Sequence, residues 1–156
     1  MIIMIINKRF VNNPSAFENF EDIPPRYRLV NYADRYRGVE VWDDFANDHY
    51  SLDDCSEYHA RRVQWASECW KEFCSSRDRH YALATPRMVD DWTVTLLEDV
   101  KPETAYTAYI TYVNSFYRYL RYHIDHPHCY NPVLFAVRMF PTSRSVWEQA
   151  RGSADE

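Results

Sequence analysis

Hydrophobic residues recur along most of this chain at intervals of three and four, the spacing of α-helices that bury one face. The clearest stripe begins after Pro102 and continues for about five helical turns. The pair His126-Pro127 is expected to end this helix, because proline cannot continue it. The predicted buried face consists of Tyr106, Tyr109, Ile110, Val113, Phe116, Tyr117, Leu120 and Ile124.

Shorter stripes predict four more helices around this one. The first covers about residues 39–47, and the second begins with Ser51 as its N-cap and runs to about residue 75. Thr85-Pro86 combines a capping residue with a proline at the first helical position, which predicts a third helix to about residue 98. Asn131-Pro132 marks a break after the long helix, and a last short helix is predicted around Trp147.

The first 38 residues lack a helical period. They contain Pro24-Pro25 and a basic, aromatic stretch over residues 26–37. We predict an extended arm that either wraps around a nucleic acid or packs its tyrosines on the domain, and the sequence leaves both possibilities open. The predicted organisation is an arm over 1–38, a helical domain over 39–137 and a tail over 138–156 with a possible short helix.

Composition excludes several classes of protein. Only two glycines occur in 156 residues, whereas phosphate-binding turns and β-sandwiches need several. No apolar run approaches the ~20 residues of a membrane span, and the four cysteines lack the spacing of a disulfide framework. These features predict an all-α, cytoplasmic protein with free thiols and no membrane partner.

Charge is distributed unevenly along the chain. Residues 40–100 carry fourteen acidic and six basic residues, whereas the flanking segments have a slight basic excess. Fifteen of the eighteen basic residues are arginine, which forms planar, bidentate contacts with phosphate and guanine. The net charge of −5 does not by itself indicate a nucleic-acid binder, so that hypothesis depends on where the arginines lie.

The remaining chemical patterns favour structural explanations. The segment 123–129 is rich in His and ends in Cys129, but one compact cluster is not zinc-finger spacing, and cationic histidines suit a helix C-terminus. The acidic pairs at 43–44, 53–54 and 90–91 stand at predicted helix starts, where capping explains them better than acid–base catalysis. We therefore expect no metal and no cofactor.

The order short helix, long helix, short helix, long helix, Asn-Pro resembles the core-binding, SAM-like domain of tyrosine recombinases and phage-type integrases. The similarity covers residues 39–137, and haloarchaeal members are the most similar in character. It rests on the segments VWDDFAND, SEYHARRVQWASECWKEFC, TPRMVDDW, KPETAYTAYITYVNSFYRYLRYH and YNPV.

This resemblance implies a four- to five-helix SAM-like bundle that holds one side of duplex DNA. Family members continue into a catalytic domain, whereas about twenty residues follow Asn131-Pro132 here, fewer than the ~50 of a small domain. His59-x-x-Arg62 has the form of a catalytic pair but lies within a predicted DNA-binding helix, outside the setting such a motif requires. We therefore expect a protein that binds DNA without cutting it, and not an enzyme.

Two helices carry the predicted contacts with DNA. Residues 101–107 open the long helix, whose N-terminal amides favour a phosphate. Asn114, Arg118 and Arg121 follow at intervals of four and three, which predicts a shared exposed face. For any single arginine the alternative is a surface ion pair, such as Arg61 with Glu57. The predicted DNA-binding residues are Arg61, Arg62, Lys71, Lys101, Thr104, Thr107, Asn114, Arg118 and Arg121.

The predicted function is therefore non-catalytic binding of double-stranded DNA. The protein would act as a regulator or accessory factor of a mobile element, virus or plasmid, or as the DNA-clamping part of a site-specific recombinase. Its further partners would be a recombinase or a second copy of itself.

The alternative is a protein-interaction or dimerisation module that uses the acidic segment 40–57 and the apolar N-terminal tip. The alternative predicts scattered, ion-paired arginines and an exposed apolar patch.

Overall fold

Helices dominate the computed structural model, which describes residues 17–51 and 54–155 and contains no β-strand within those ranges. The predicted all-α fold is thereby confirmed. Three 3-10 turns (Phe20–Asp22, Pro25–Tyr27 and Leu29–Tyr32) precede the α-helices. The helices are α1 (Ala33–Tyr36), α2 (Trp42–Tyr50), α3 (Glu57–Ser76), α4 (Pro86–Leu97), α5 (102–122), α6 (Pro132–Met139) and α7 (Pro141–Asp155).

Helix α5 forms the centre of the bundle. Its outer turns, Pro102–Ala105 and Thr111–Tyr122, are α-helical, but Tyr106–Ile110 between them is a π-helical turn. Helices α2 and α3 pack on the Thr111–Tyr122 part, whereas α7 packs on the start of α5. On the other side α4, α6 and α7 contact one another. The core between these helices is rich in fully buried aromatic side chains, among them Trp42, Trp70, Trp92, Phe116, Tyr117 and Phe135.

Side-chain caps start α3, α4 and α6. The hydroxyl of Thr85 accepts the Met88 amide at 3.1 Å, so the predicted cap of α4 is present. The predicted cap at Ser51 is wrong: Ser51 has a left-handed φ of 50° and ends α2, and Ser56 caps α3 instead. The stripe predicted for α3 therefore fails at its start, where Tyr58 is 68% exposed.

Residues 17–38 are packed on the helices and do not extend from them. Ile23, Leu29 and Tyr36 are buried, and the Leu29 amide donates to the Tyr130 hydroxyl at 3.0 Å. The Arg28 guanidinium lies 3.9 Å from the centroid of the Phe20 ring. Of the two possibilities left open for the arm, packing of its tyrosines on the domain is therefore the one that residues 17–38 adopt, and these residues are not extended. The rest of that arm, residues 1–16, lies outside the described ranges, as does the predicted apolar tip.

The C-terminal part contains more helix than predicted. Helix α6 crosses the expected domain boundary at residue 137, and α7 follows it after a single residue, Phe140. Val133, Phe135 and Val146 bury their side chains in the common core. Residues 138–152 therefore pack with the domain and do not form a separate tail. None of the helices in the described ranges has the length and apolarity needed to cross a bilayer.

We expect the protein to lose stability at alkaline pH because of its buried tyrosines. Burial raises the pKa of Tyr130 to about 12, and it also raises the pKa of Tyr36 and Tyr50 to about 12. In the unfolded chain these hydroxyls ionise near pH 10. Their contribution is therefore complete below about pH 10 and is lost as the pH rises towards 12. Urea unfolding between about pH 8 and pH 11 measures this loss.

The variant Tyr130→Phe provides the matched control for the alkaline effect. Without this hydroxyl, the decline in unfolding free energy should be shallower by up to about 1.4 kcal/mol per pH unit. An unfolding free energy that stays constant across this range would contradict the prediction.

Candidate nucleic-acid interface

Three arginines from three different helices line one cleft. Arg118 comes from α5, Arg138 from α6 and Arg151 from α7. The cleft has a volume of about 330 Å³, and no acidic residue is among the side chains that line it. Three guanidinium groups without a neutralising carboxylate in the wall create a positive potential that favours an anion. The other lining residues are Tyr106, Thr111, Asn114, Ser115, Leu134, Val137 and Trp147.

Buried polar contacts hold the helices around this cleft. The carboxylate of Asp90 in α4 accepts from both the amide and the hydroxyl of Ser143, at 3.3 and 2.7 Å, and so anchors the first turn of α7. Asn131 caps α6 by accepting the Val133 amide, and its own amide group donates to Oδ1 of Asn114 at 2.9 Å. The buried hydrogen bonds of Asn131 and of Asp90 with Ser143 therefore fix the helices that carry Arg138 and Arg151.

The π-helical turn forms the aromatic side of the cleft. The Thr111 amide donates to the carbonyl of Tyr106, five residues earlier, which inserts one residue into the helical register. The Tyr106 ring meets the Trp147 ring edge-to-face, with centroids 5.4 Å apart. The Arg151 guanidinium lies 5.5 Å from the centroid of Trp147. One wall of the cleft is therefore a cation–π pair of Arg151 and Trp147 in contact with a tyrosine.

A second depression continues from the arginine cleft. It has a volume of about 390 Å³ and shares Ser115 and Arg118 with the cleft. Its remaining walls are His49, Tyr119 and Tyr122. Burial and, secondarily, the nearby Arg118 charge lower the pKa of His49, so this histidine is neutral at pH 7. Together the two depressions form a groove along α5 that combines arginine with aromatic side chains.

The predicted basic residues of α3 lie away from this groove. Arg61 pairs with Glu57 at 3.5 Å, so for this residue the surface ion pair, and not a free DNA-binding guanidinium, is present. The Arg62 guanidinium lies 5.7 Å from the centroid of Tyr58, on the exposed side of the helix. Lys71 binds Glu40 at 3.0 Å and lies 4.8 Å from the Tyr81 ring centroid, so its charge is already paired.

The predicted residues of α5 do not share one exposed face. Arg121 is 3% exposed, and burial lowers its pKa to about 10. Asn114 is 8% exposed, although it reaches the cleft wall, and only Arg118 is half-exposed. The prediction of a common solvent-exposed face for these three residues is therefore wrong, because two of them turn towards α6 and the segment before it.

The start of α5 is exposed but points in another direction. Lys101, Thr104 and Thr107 are all exposed, and the Thr107 hydroxyl donates to the carbonyl of Glu103. The π turn lies between these residues and Arg118, and one inserted residue rotates the helical register by about 100°. The structure therefore does not bring the predicted phosphate site at residue 101 together with the arginine cleft.

The histidine-rich segment packs against aromatic side chains. The Tyr36 hydroxyl and Nδ1 of His126 are 2.6 Å apart, and Nε2 of His128 is 2.6 Å from the carbonyl of Ala82. Within the described ranges, no three His, Cys, Asp or Glu side chains are arranged to share a metal ion. His59 of the His-x-x-Arg motif packs edge-to-face on the Tyr50 ring, with centroids 5.2 Å apart.

Arg138 and Arg151 were missed because the sequence assigned them to a tail. One signal was present: Trp147 and Arg151 are spaced at four, as are Leu134 and Arg138, which is typical of side chains that share a helix face. What the sequence could not supply is the pairing of α6 with α5 and of α7 with α4, since these depend on the Asn114–Asn131 and Asp90–Ser143 contacts, respectively.

Comparisons with known proteins add no family assignment to this geometry. No protein-family model, no curated protein and no solved structure matches the chain. The similarity to the integrase core-binding domain stays a prediction from the segments quoted above.

Proposed function

We propose that this protein binds DNA, and that Arg118, Arg138 and Arg151 contact the phosphate backbone. The observation that supports this proposal is the convergence of three guanidinium groups on one cleft whose lining contains no acidic residue. Arginine forms bidentate, charge-assisted hydrogen bonds with phosphate oxygens, so a phosphodiester is the anion that suits this wall. Duplex DNA would lie over the mouth of the cleft.

Several arginines elsewhere in the described chain are ion-paired or donate to backbone carbonyls, a feature that the protein-interaction alternative also predicts. For DNA binding, it leaves the cleft as the favoured region. Arg37 pairs with Asp34 at 2.7 Å and Arg77 pairs with Asp91 at 3.0 Å. Arg28 donates to the carbonyls of Phe20 and Ile23. An arginine that is already paired has less to gain from a phosphate than one in a wall without carboxylates.

The double variant Arg138→Ala/Arg151→Ala is expected to weaken binding to a fluorescein-labelled duplex and to reduce its salt dependence. Each phosphate contact contributes about −0.9 to the slope of log K against log salt, so the slope should become shallower by about 2. Fluorescence anisotropy at about 50 and 200 mM salt measures both effects.

The matched control is Arg37→Ala/Arg77→Ala, which removes the same charge from two ion-paired arginines. The proposal requires this control to bind like the wild type. If the two double variants lose the same amount of DNA affinity, the effect comes from net charge alone. That result would contradict the assignment of the cleft as the binding site.

In the resembling family such a domain serves recombination. The proposed setting is therefore regulation or assistance of a mobile element, virus or plasmid, or clamping of DNA within a site-specific recombinase.

A second candidate function is supported by the exposed aromatic residues of α3. Tyr58 is 68% exposed and Trp65 is 63% exposed, and large exposed aromatics are enriched at protein interfaces. That candidate predicts self-association that Trp65→Ala reduces and Arg138→Ala/Arg151→Ala leaves unchanged, measured by analytical ultracentrifugation.

A further inference from the structure

We propose that the arginine cleft holds one unpaired nucleotide, with the phosphate on Arg118 and Arg138 and the base against Arg151 and Trp147. This inference rests on the proposed function, because it specifies which form of DNA the cleft accepts. It predicts that the protein prefers DNA with an extruded or single-stranded base over fully paired DNA.

The size of the cleft supports a single nucleotide. Its volume of about 330 Å³ is at the lower end of the ~300–1,000 Å³ range of small-molecule pockets. A double helix is far wider than such a cleft and can only lie across its mouth. A nucleotide that leaves the base stack can enter, as in proteins that extrude a base.

The chemistry of the walls matches both parts of a nucleotide. Unpaired bases stack on aromatic rings and on guanidinium planes, and both kinds of surface line the cleft, since Arg151 lies over the Trp147 ring. The Tyr106 ring contacts the Trp147 ring in a T-shaped arrangement and so limits its movement. Arg118 and Arg138 supply the remaining guanidinium groups for the phosphate. The cleft therefore combines a stacking surface with an anion site.

One polar group of the cleft has a donor that can meet the edge of a base. Oδ1 of Asn114 accepts from Asn131, which is itself fixed by capping the Val133 amide. The Nδ2 group of Asn114 is therefore the part of this amide that can donate to a ligand. Ser115 lies beside Asn114 in the same wall, and its hydroxyl, which hydrogen-bonds with Tyr50, retains a lone pair that can accept from a ligand.

The test compares three labelled duplexes in the same anisotropy assay: fully paired, with one unpaired nucleotide, and with an abasic site at that position. We expect the wild type to bind the duplex with the unpaired base about 5- to 150-fold more tightly than the paired one, since base–aromatic stacking has this range. The abasic duplex should lose most of the gain. Equal affinity for all three would overturn the inference and leave the proposed function standing.

Two variants separate the stacking contribution from the charge. Trp147→Leu should weaken binding of the unpaired-base duplex more than binding of the paired duplex and so reduce the preference, whereas Trp65→Leu, at an exposed tryptophan of α3, should keep the preference. Arg151→Lys retains the charge but loses the planar surface, so it should reduce the preference more than the affinity for paired DNA. A preference unchanged in both Trp147→Leu and Arg151→Lys would overturn the inference.

Competition with dAMP distinguishes the source of the nucleotide. A free nucleotide that displaces the unpaired-base duplex, but not the paired one, would support a shared site in the cleft. If no duplex binds, the proposed function fails and this inference fails with it. In that case, quenching of tryptophan fluorescence by dAMP that Trp147→Leu abolishes and Trp65→Leu retains would assign the cleft to a free nucleotide.

Discussion

Trp70→Ala is expected to lower the free energy of unfolding by about 3–5 kcal/mol, the largest stability loss of any single change considered for this protein. Trp70 is completely buried between α3 and α4. Its indole ring packs on Trp92 with centroids 4.8 Å apart, and its Nε1 donates to the carbonyl of Tyr81 at 3.0 Å. The substitution leaves a cavity and also removes a hydrogen bond from a buried carbonyl. Urea denaturation measures the effect.

Trp65→Ala, five residues earlier in the same helix, is the matched control. Trp65 is 63% exposed, and its Nε1 donates to the hydroxyl of Tyr109 at 3.0 Å on the surface. Because most of its ring is already in contact with water, its loss should cost less than about 1 kcal/mol. A similar loss in the two variants would contradict the packing described for α3.

The second large effect is expected from Tyr117→Phe, which removes a single buried oxygen. The Tyr117 hydroxyl donates to the carbonyl of Tyr81 at 2.7 Å and accepts the Ala84 amide at 3.0 Å. The Tyr81 carbonyl keeps Trp70 as a donor, but the buried Ala84 amide loses its partner. An unsatisfied buried donor costs about 1–3 kcal/mol, and the free energy of unfolding should fall by this amount.

Tyr119→Phe tests the same chemical change two residues further along α5. The Tyr119 hydroxyl donates to a carboxylate oxygen of Asp48 at 3.1 Å in an exposed contact, where water can replace it. We expect a loss within about 0.5 kcal/mol. A larger loss in Tyr119→Phe than in Tyr117→Phe would contradict the conclusion that the Tyr117 hydroxyl stabilises the connection between α3 and α4 through Tyr81 and Ala84.

The sequence predicted those parts of the fold that depend on local chemistry. Thr85-Pro86 starts α4 and Pro102 starts α5, because a cap and a proline act on the turn that they belong to. Ser51 and Ser56 both precede acidic residues, and only the backbone conformation decides which of them caps α3. A local signal that occurs twice predicts that a helix starts but does not decide where it starts.

The parts that the sequence did not predict depend on contacts between distant residues. Arg121 and Arg118 have the same local pattern, yet one is buried and the other lines the cleft, because α5 is covered unevenly by its neighbours. Residues 81–84 read as a connection, but they are buried and held by the side chains of Trp70, Tyr117 and His128. Helical periodicity reports the spacing of residues within one helix and therefore does not predict which distant residues bury them.

In evolutionary terms, the π turn over Tyr106–Ile110 behaves as a one-residue insertion within a helix. A relative without it would have one residue fewer between Pro102 and Thr111, and the start of its fifth helix would be rotated by about 100° against the rest. In such a relative, the residue equivalent to Tyr106 would no longer contact the residue equivalent to Trp147, and the cleft would lose one wall. A single-residue gap in this helix therefore marks which homologues share the cleft and which share the bundle alone.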